Sequence, residues 1–190
     1  MSEIATLEID GKKYEFPMIK GSENELAIDV KVLRGATSGV ITMDPGFKNT
    51  GSCTSAVTYL DGEQGILRYR GYSIEDLAEK ADFLETAYLL IFEELPTAAQ
   101  LEKFDKDIKA NSQVDPAVYK ILEGFPASTH PMAILSSLTS AIIAFNPECE
   151  NVDSDEDMYN AIVTLMGQFP ALVSMALRKT QGLEHVAFDN

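Results

Sequence analysis

Two histidines, two cysteines and a closely spaced pair of arginines are the residues of this chain best suited to chemistry. His130 stands in Ser128-Thr129-His130-Pro131, directly before a helix-forming run. An imidazole there can serve as a general base, bind an anion, or start the helix by hydrogen bonding in the turn. No carboxylate, Ser or Cys lies nearby at a telling spacing, and one histidine does not make a catalytic constellation. The helix-starting role is therefore expected. His185 follows Glu184, and adjacent residues on a helix point in different directions, so no dyad is expected there. Arg68 and Arg70, two apart on an expected strand, share one face. They can hold a phosphate or carboxylate. The plainer expectation is a structural pair with a carboxylate of the following helix, such as Glu75 or Asp76, that fixes a strand-to-helix corner.

Cys53 and Cys149 are far apart in unlike contexts and read as ordinary thiols. Asp153, Asp155 and Asp157 alternate as in a calcium loop, but the Gly and terminal Glu of such a loop are missing at the required offsets. They read as a solvated acidic turn. There is no Gly-rich phosphate loop. The residues therefore predict no catalytic, substrate-binding, cofactor-binding or metal site within this chain, and no cofactor.

The elements that would position these groups follow from pattern. The chain has 190 residues, 45% of them hydrophobic, and a formal net charge of −15. That is enough for a real core, and the acidity argues against nucleic acid or an anionic membrane surface as a partner. Two unpaired cysteines and the absence of a basic-then-apolar leader at Met1-Ser2-Glu3-Ile4 fit a reducing, cytoplasmic setting. Residues 6–9, the turn Asp10-Gly11 and residues 13–16 predict a hairpin closed by Pro17. Residues 25–32 predict a third strand or extended arm, 35–39 a loop, and 40–43 a brief extended piece ended by Asp44-Pro45-Gly46. A second hairpin is expected over 55–60 and 65–69, broken by Arg70-Gly71.

From Ser73 onward helices are expected. Ser73 with Asp76 has capping-box spacing. Asp82 can cap a helix to Phe92, with Leu84, Ala87, Tyr88 and Ile91 on one face. Thr97 with Gln100 opens the next helix, with a stripe of Leu101, Phe104 and Ile108. Asp115-Pro116 starts another, carrying Val118, Ile121 and Leu122 and ended by Gly124. The helix after His130 runs to Pro147, and the last one breaks or kinks at Pro170 and ends near Gly182. The fold class is mainly α: a small β region over 1–47, then a helical domain over 48–190 that begins with a β-hairpin.

Two stretches, 132–145 and 158–177, contain no charged residue. A helix apolar all round is expected to be buried on every side. The first is too short for a membrane span, and Asn160, Gly167, Gln168 and Pro170 interrupt the second. They predict the centre of a helical domain or a helix pair through which copies self-associate. A non-catalytic helical interaction or regulatory module is the alternative reading on these grounds.

The motifs carry a resemblance beyond their physics. Ile41-Thr42-Met43-Asp44-Pro45-Gly46-Phe47, Ser52-Cys53, and the run from Asp61-Gly62-Glu63-Gln64 through Arg68-Tyr69-Arg70-Gly71-Tyr72-Ser73 to Leu77 resemble the N-terminal half of bacterial citrate synthases. Glu93-Glu94-Leu95-Pro96-Thr97, Ser128-Thr129-His130-Pro131-Met132 and Phe169-Pro170 continue it in the family's order. The β region before residue 48 is similar to that of the larger, hexameric members and argues against 2-methylcitrate synthases. The resemblance implies part of a large helical domain whose antiparallel helices form a dimer interface. It also implies condensation of acetyl-CoA, a substrate and not a cofactor, with oxaloacetate at the entry to the tricarboxylic acid cycle. It places the catalytic Asp, His and Arg positions outside this chain, so the chain alone is expected to be inactive. Some members bind NADH as an inhibitor through Arg and His near the position of Lys109-Ala110-Asn111-Ser112. Neither residue is present there, and NADH inhibition is not expected.

Overall fold

The computed structural model describes residues 4–184 and residue 186. The chain divides into two compact units, residues 1–56 and 57–190.

In the first unit β1 (Ile4–Ile9), β2 (Lys12–Lys20) and β3 (Leu26–Ile28) form one antiparallel sheet in the order β1-β2-β3. Asp10 and Gly11 make the two-residue turn between β1 and β2, with φ of 50° and 77°. Positive φ at both positions is the geometry that matches strand twist, and Asp-Gly adopts it readily. β2 does not stop at Pro17. It pairs with β1 up to Ile4↔Pro17 and with β3 from Met18↔Ile28 onward. Proline cannot donate to a ladder, and here it stands where β2 changes partner, its C=O accepting from Asp29 N–H at 2.8 Å. The expected arm over 25–32 shortens to β3 because a turn at 30–33 leads into a one-turn helix, α1 (Leu33–Ala36), in place of the expected loop. Residues 40–43 pair with no strand among those described.

In the second unit β4 (Thr58–Asp61) pairs with β5 (Ile66–Tyr69). Asp61 Oδ1 closes the turn by accepting from Glu63 and Gln64 N–H at 3.0 and 2.9 Å. Arg70-Gly71 does not end the sheet. With φ of 48° and 89° it forms a second two-residue turn, so that β6 (Tyr72–Ser73) returns along β5. Ser73 then caps α2 (Ile74–Lys80), its Oγ accepting from Asp76 N–H at 3.1 Å.

Capping sets the remaining helix starts. Asp82 and Glu85 form a reciprocal box at α3 (Phe83–Phe92), as do Thr97 and Gln100 at α4 (Ala98–Ala110). Asp115 accepts from Ala117 N–H before α5 (Pro116–Glu123). α6 (Pro131–Ile142) gives way to 3₁₀ turns at Ile143–Phe145 and Pro147–Cys149. Ser154 caps α7 (Asp155–Thr180).

α7 is one unbroken 26-residue helix with Pro170 inside it, and no break occurs there. The proline removes a single bond, the one Met166 C=O would accept. Packing of the residues on either side, Gln168, Ala171 and Leu172, holds the helix across that gap. The core lies between α5, α6 and α7, where Val118, Leu122, Ile134, Leu138, Ile142, Leu172 and Met175 are buried. A second focus is aromatic. Tyr88 and Phe92 of α3 meet the Phe104 ring edge-on at 5.5 and 5.8 Å, and Tyr159 of α7 joins them. The buried member of α3 is Leu89, and Ile91 is exposed. Packing against Phe104 rotates the helix so that 88, 89 and 92 face inward.

Candidate functional site

Arg68 and Arg70 do not share a face. Arg70 sits in the tight turn after β5, and its guanidinium reaches the C-terminal end of α3. Nη2 donates to Leu90 C=O at 3.3 Å and Nη1 lies 3.3 Å from Glu93 Oε1. A helix end leaves its last carbonyls without intrahelical donors, and Arg70 supplies one. Glu75 and Asp76 are not its partners; Asp76 instead pairs with Lys80 and accepts from Ser73 Oγ at 3.0 Å. The corner is thus fixed between the β5–β6 turn and α3, a link between elements that are distant in sequence. Arg68 lies with its guanidinium 5.8 Å from the Tyr59 ring on the neighbouring strand.

His130 caps α6, its Nδ1 accepting from Met132 N–H at 3.2 Å. His185 lies outside the described residues. Cys53 is exposed and Cys149 half-buried, both free thiols. Burial, acting more strongly than a bond to Thr164, raises the Cys149 thiol above its ordinary pKa, the opposite of an activated cysteine. Asp155 and Asp157 fall in the first turn of α7, where carboxylates favour the positive end of the helix. Among the described residues no group of three or more His, Cys, Asp and Glu is placed to hold a metal ion.

The 109–112 stretch closes α4. Lys109 pairs with Asp105, Asn111 Nδ2 donates to Asp107 C=O at 2.8 Å and Ser112 Oγ to Lys109 C=O at 2.8 Å. Gly167 of α7 packs directly onto this end. A Cβ at Gly167 would lie 2.5 Å from Ile108 O and 2.8 Å from Asn111 O. The next residue, Gln168, is buried and exchanges amide hydrogen bonds with Asn146, at 2.9 and 3.3 Å. Gly167 and Gln168 look like interruptions in the sequence pattern; in the fold they are where α7 locks onto α4 and onto the segment after α6. A glycine inside an otherwise strong helix is the signal for such close approach.

The charge-free helices are not buried on every side. α6 buries one stripe, Ile134, Leu138 and Ile142, and turns Met132, Ser136 and Ser140 outward. α7 buries Ala161, Thr164, Gln168, Leu172 and Met175, and leaves Met158, Leu165, Phe169, Val173 and Leu177 between 37% and 50% exposed. These outer positions recur at helical spacing and form an apolar stripe without charge. A cleft of about 270 Å³, lined by Phe83, Leu165, Met166, Phe169 and Pro170, indents it. By length and composition α7 is apolar enough to cross a membrane, yet half of its most apolar window is buried inside the protein. A helix packed on its neighbours along one face passes that length test without a bilayer.

The family model for the citrate synthase C-terminal domain matches residues 46–190. The chain belongs to the citrate synthase family. Citrate synthase from Thermotoga maritima MSB8 is 29% identical, with a TM-score of 0.62 over 75% of this chain and 36% of its own. Citrate synthase from the archaeon Thermoplasma acidophilum, solved as a ternary complex with carboxymethyl coenzyme A and oxaloacetate, has a TM-score of 0.71 at 22% identity. It matches over 78% of this chain and 39% of its own. Citrate synthase from Pyrobaculum aerophilum has a TM-score of 0.67 at 24% identity, over 88% and 39%. The last two establish the mainly α citrate synthase fold. The chain spans little more than a third of the length of these synthases.

Proposed function

We propose that this chain is the scaffold-forming, N-terminal part of a bacterial citrate synthase of the larger, hexameric type. The full enzyme condenses acetyl-CoA with oxaloacetate to citrate and CoA at the entry to the tricarboxylic acid cycle, in the cytoplasm. The observation that carries the reading is the family match across residues 46–190. Arg70 in its turn and His130 at its helix start hold backbone carbonyl and amide groups, which supports placing the catalytic groups elsewhere. The β region over 1–47, with the helical domain from 48, favours the citrate over the 2-methylcitrate enzyme. The engagement of Asn111 and Ser112 in closing α4 supports insensitivity to NADH.

The 190-residue chain alone is expected not to turn over. Mixed with acetyl-CoA and oxaloacetate, it should release free thiol no faster than the uncatalysed background. Release above background that depends on both substrates overturns the assignment of catalysis to other residues.

The scaffold includes self-association through residues 132–145 and 158–177. The outer stripes of α6 and α7 are apolar and uncharged, and burying such area against a second copy contributes roughly 25 cal/mol per Å². The chain should sediment as a dimer or larger at micromolar concentration, and Phe169→Glu should shift it toward monomer. A wild-type monomer at that concentration removes this surface from the proposal.

A further inference from the structure

We propose that the free edge of β1 pairs with the same edge of a second copy of this chain, antiparallel and centred on Thr6. β1 is an end strand of its sheet, and no described residue is hydrogen-bonded to its outer edge. The phase of the hairpin fixes which groups lie there. Ile9 and Lys12 flank the two-residue turn and exchange both N–H···O bonds. Bonding direction alternates along a strand, so Ala5, Leu7 and Ile9 bond to β2. Ile4, Thr6 and Glu8 turn their N–H and C=O groups outward. Pro17 agrees with this phase: it stands opposite Ile4, and its C=O accepts from Asp29 N–H, away from β1. Sheet edges are normally blunted by Pro, Lys, a bulge or a very short strand. β1 has none of these, and it keeps unbroken register with β2 over its 6 residues. Such an edge is a template for another strand.

The strand complements itself about Thr6, which selects a second copy as the occupant. A two-fold contact is isologous. Centred on Thr6, it sets Thr6 against Thr6 of the other copy, Ile4 against Glu8 and Ala5 against Leu7. All the outward residues are then hydrogen-bonded. Moving the centre to Ala5 or to Leu7 leaves Glu8 or Ile4, respectively, without a partner in the strand. Moving it to Glu8 sets that carboxylate against its own copy, and like charges directly opposite destabilise. The side chains match as well. Ala5 and Leu7 share a face with Phe16, which is 2% exposed, while Leu7 at the rim is 41% exposed. Ala5 of the other copy covers Leu7, so the apolar face continues across the join. Glu8, which stands opposite Lys13 in its own sheet, meets an isoleucine and no second carboxylate. This contact lies within the first unit and does not depend on the helical-face association.

The test uses the 190-residue chain carrying Cys53→Ser, Cys149→Ser and Thr6→Cys, oxidised mildly with glutathione disulfide. Directly opposed hydrogen-bonded residues lie about 5.5 Å apart at Cα, within disulfide reach, so a covalent dimer should form. With Glu8→Cys in place of Thr6→Cys, the two thiols stand four positions apart along the ladder, roughly 14 Å, and cross-linking should be at least about tenfold slower. In the Thr6→Cys chain, Ile4→Lys sets an ammonium against Glu8 of the other copy, and Ile4→Glu sets a carboxylate there. The lysine chain should cross-link about fivefold faster than the glutamate chain. Ile4, Thr6 and Glu8 are exposed, so these changes leave the sheet intact. No covalent dimer from Thr6→Cys, equal rates for Thr6→Cys and Glu8→Cys, or a glutamate chain as fast as the lysine chain each overturns the proposal. Adding Phe169→Glu separates the two associations: the cross-link persists if only the helical face is lost.

Discussion

The β unit and the helical unit hold their shapes by different means. Among the described residues up to 56 the large hydrophobic side chains that are buried are Phe16 and Leu33, while Ile4, Leu26, Ile28, Val32, Ile41, Met43 and Phe47 stand exposed. What shapes that unit is local: the Asp10-Gly11 turn, the partner change at Pro17, and Asp44 accepting from Asn49 N–H and Thr50 Oγ. In residues 57–190 each helix also starts on a local cap, but the helices then interlock. Leu89, Phe104, Val118, Ile134, Leu138 and Leu172 are fully buried, and Gly167 lets two helices touch backbone to backbone. The contrast separates two tasks. Turn and cap chemistry suffices to say where an element begins. Resistance to unfolding comes from side chains removed from water by other elements.

Three tests put that contrast under strain. The largest effect is expected at Gly167→Ala. Its new Cβ meets the Ile108 and Asn111 carbonyls, which belong to backbone and cannot swing away. We expect a loss of about 3 kcal/mol or more in urea unfolding of the helical unit. A loss under about 1 kcal/mol, the range of an ordinary surface change, would mean that α4 and α7 do not touch there.

Leu138→Ala compared with Ile41→Ala sets one unit against the other. Leu138 is fully buried and Ile41 is 68% exposed. The first should cost about 2–3 kcal/mol through lost burial and the cavity left behind. The second should stay within about 0.5 kcal/mol. Equal costs would show Ile41 buried in solution, covered by a neighbouring surface.

The smallest effect is electrostatic. Lys103 first, and Tyr159 next, by hydrogen bonds, hold the Asp107 carboxyl below its usual value of 3.8. Tyr159 donates its hydroxyl at 2.7 Å and Lys103 lies at 2.6 Å. A carboxyl whose folded pKa is lowered contributes stability above its unfolded pKa and loses it as pH falls through the folded one. Asp107→Asn should therefore flatten the fall in stability from about pH 4 downward, measured by urea midpoints across that range, and leave the slope near neutral pH unchanged. An unchanged acid limb would show that this surface triad does not persist in solution. The exposure of Lys103 keeps the effect small.

Much of the frame was legible because it depends on near neighbours. Ser73, Asp82, Thr97 and Asp115 cap the helices that their spacing predicts, and His130 is a cap as its motif suggests. The misread features depend on residues far apart in the chain. An arginine of the Arg68 and Arg70 pair was expected to meet Glu75 or Asp76, a few residues on, and Arg70 instead reaches the end of α3 and meets Glu93. Pro170 was expected to break or kink a helix, and the helix runs through it unbroken, held by packing on both sides. The charge-free stretches were expected at the centre of a helical domain or in a helix pair between copies, and within this chain each buries one stripe and keeps an outer face.

By itself, the amino-acid order determined the mainly α class, the starts of α2 to α6, both hairpin turns and the family. Those rest on φ preference, capping and contiguous motifs, all of which act over a few residues. Only the tertiary structure decided which face of α7 is inside, why Gly167 and Gln168 interrupt it, and what Arg70 holds. Those outcomes are set by the backbones and side chains that meet across α3, α4 and α7, and periodicity within one helix says that a face is apolar without saying what will cover it.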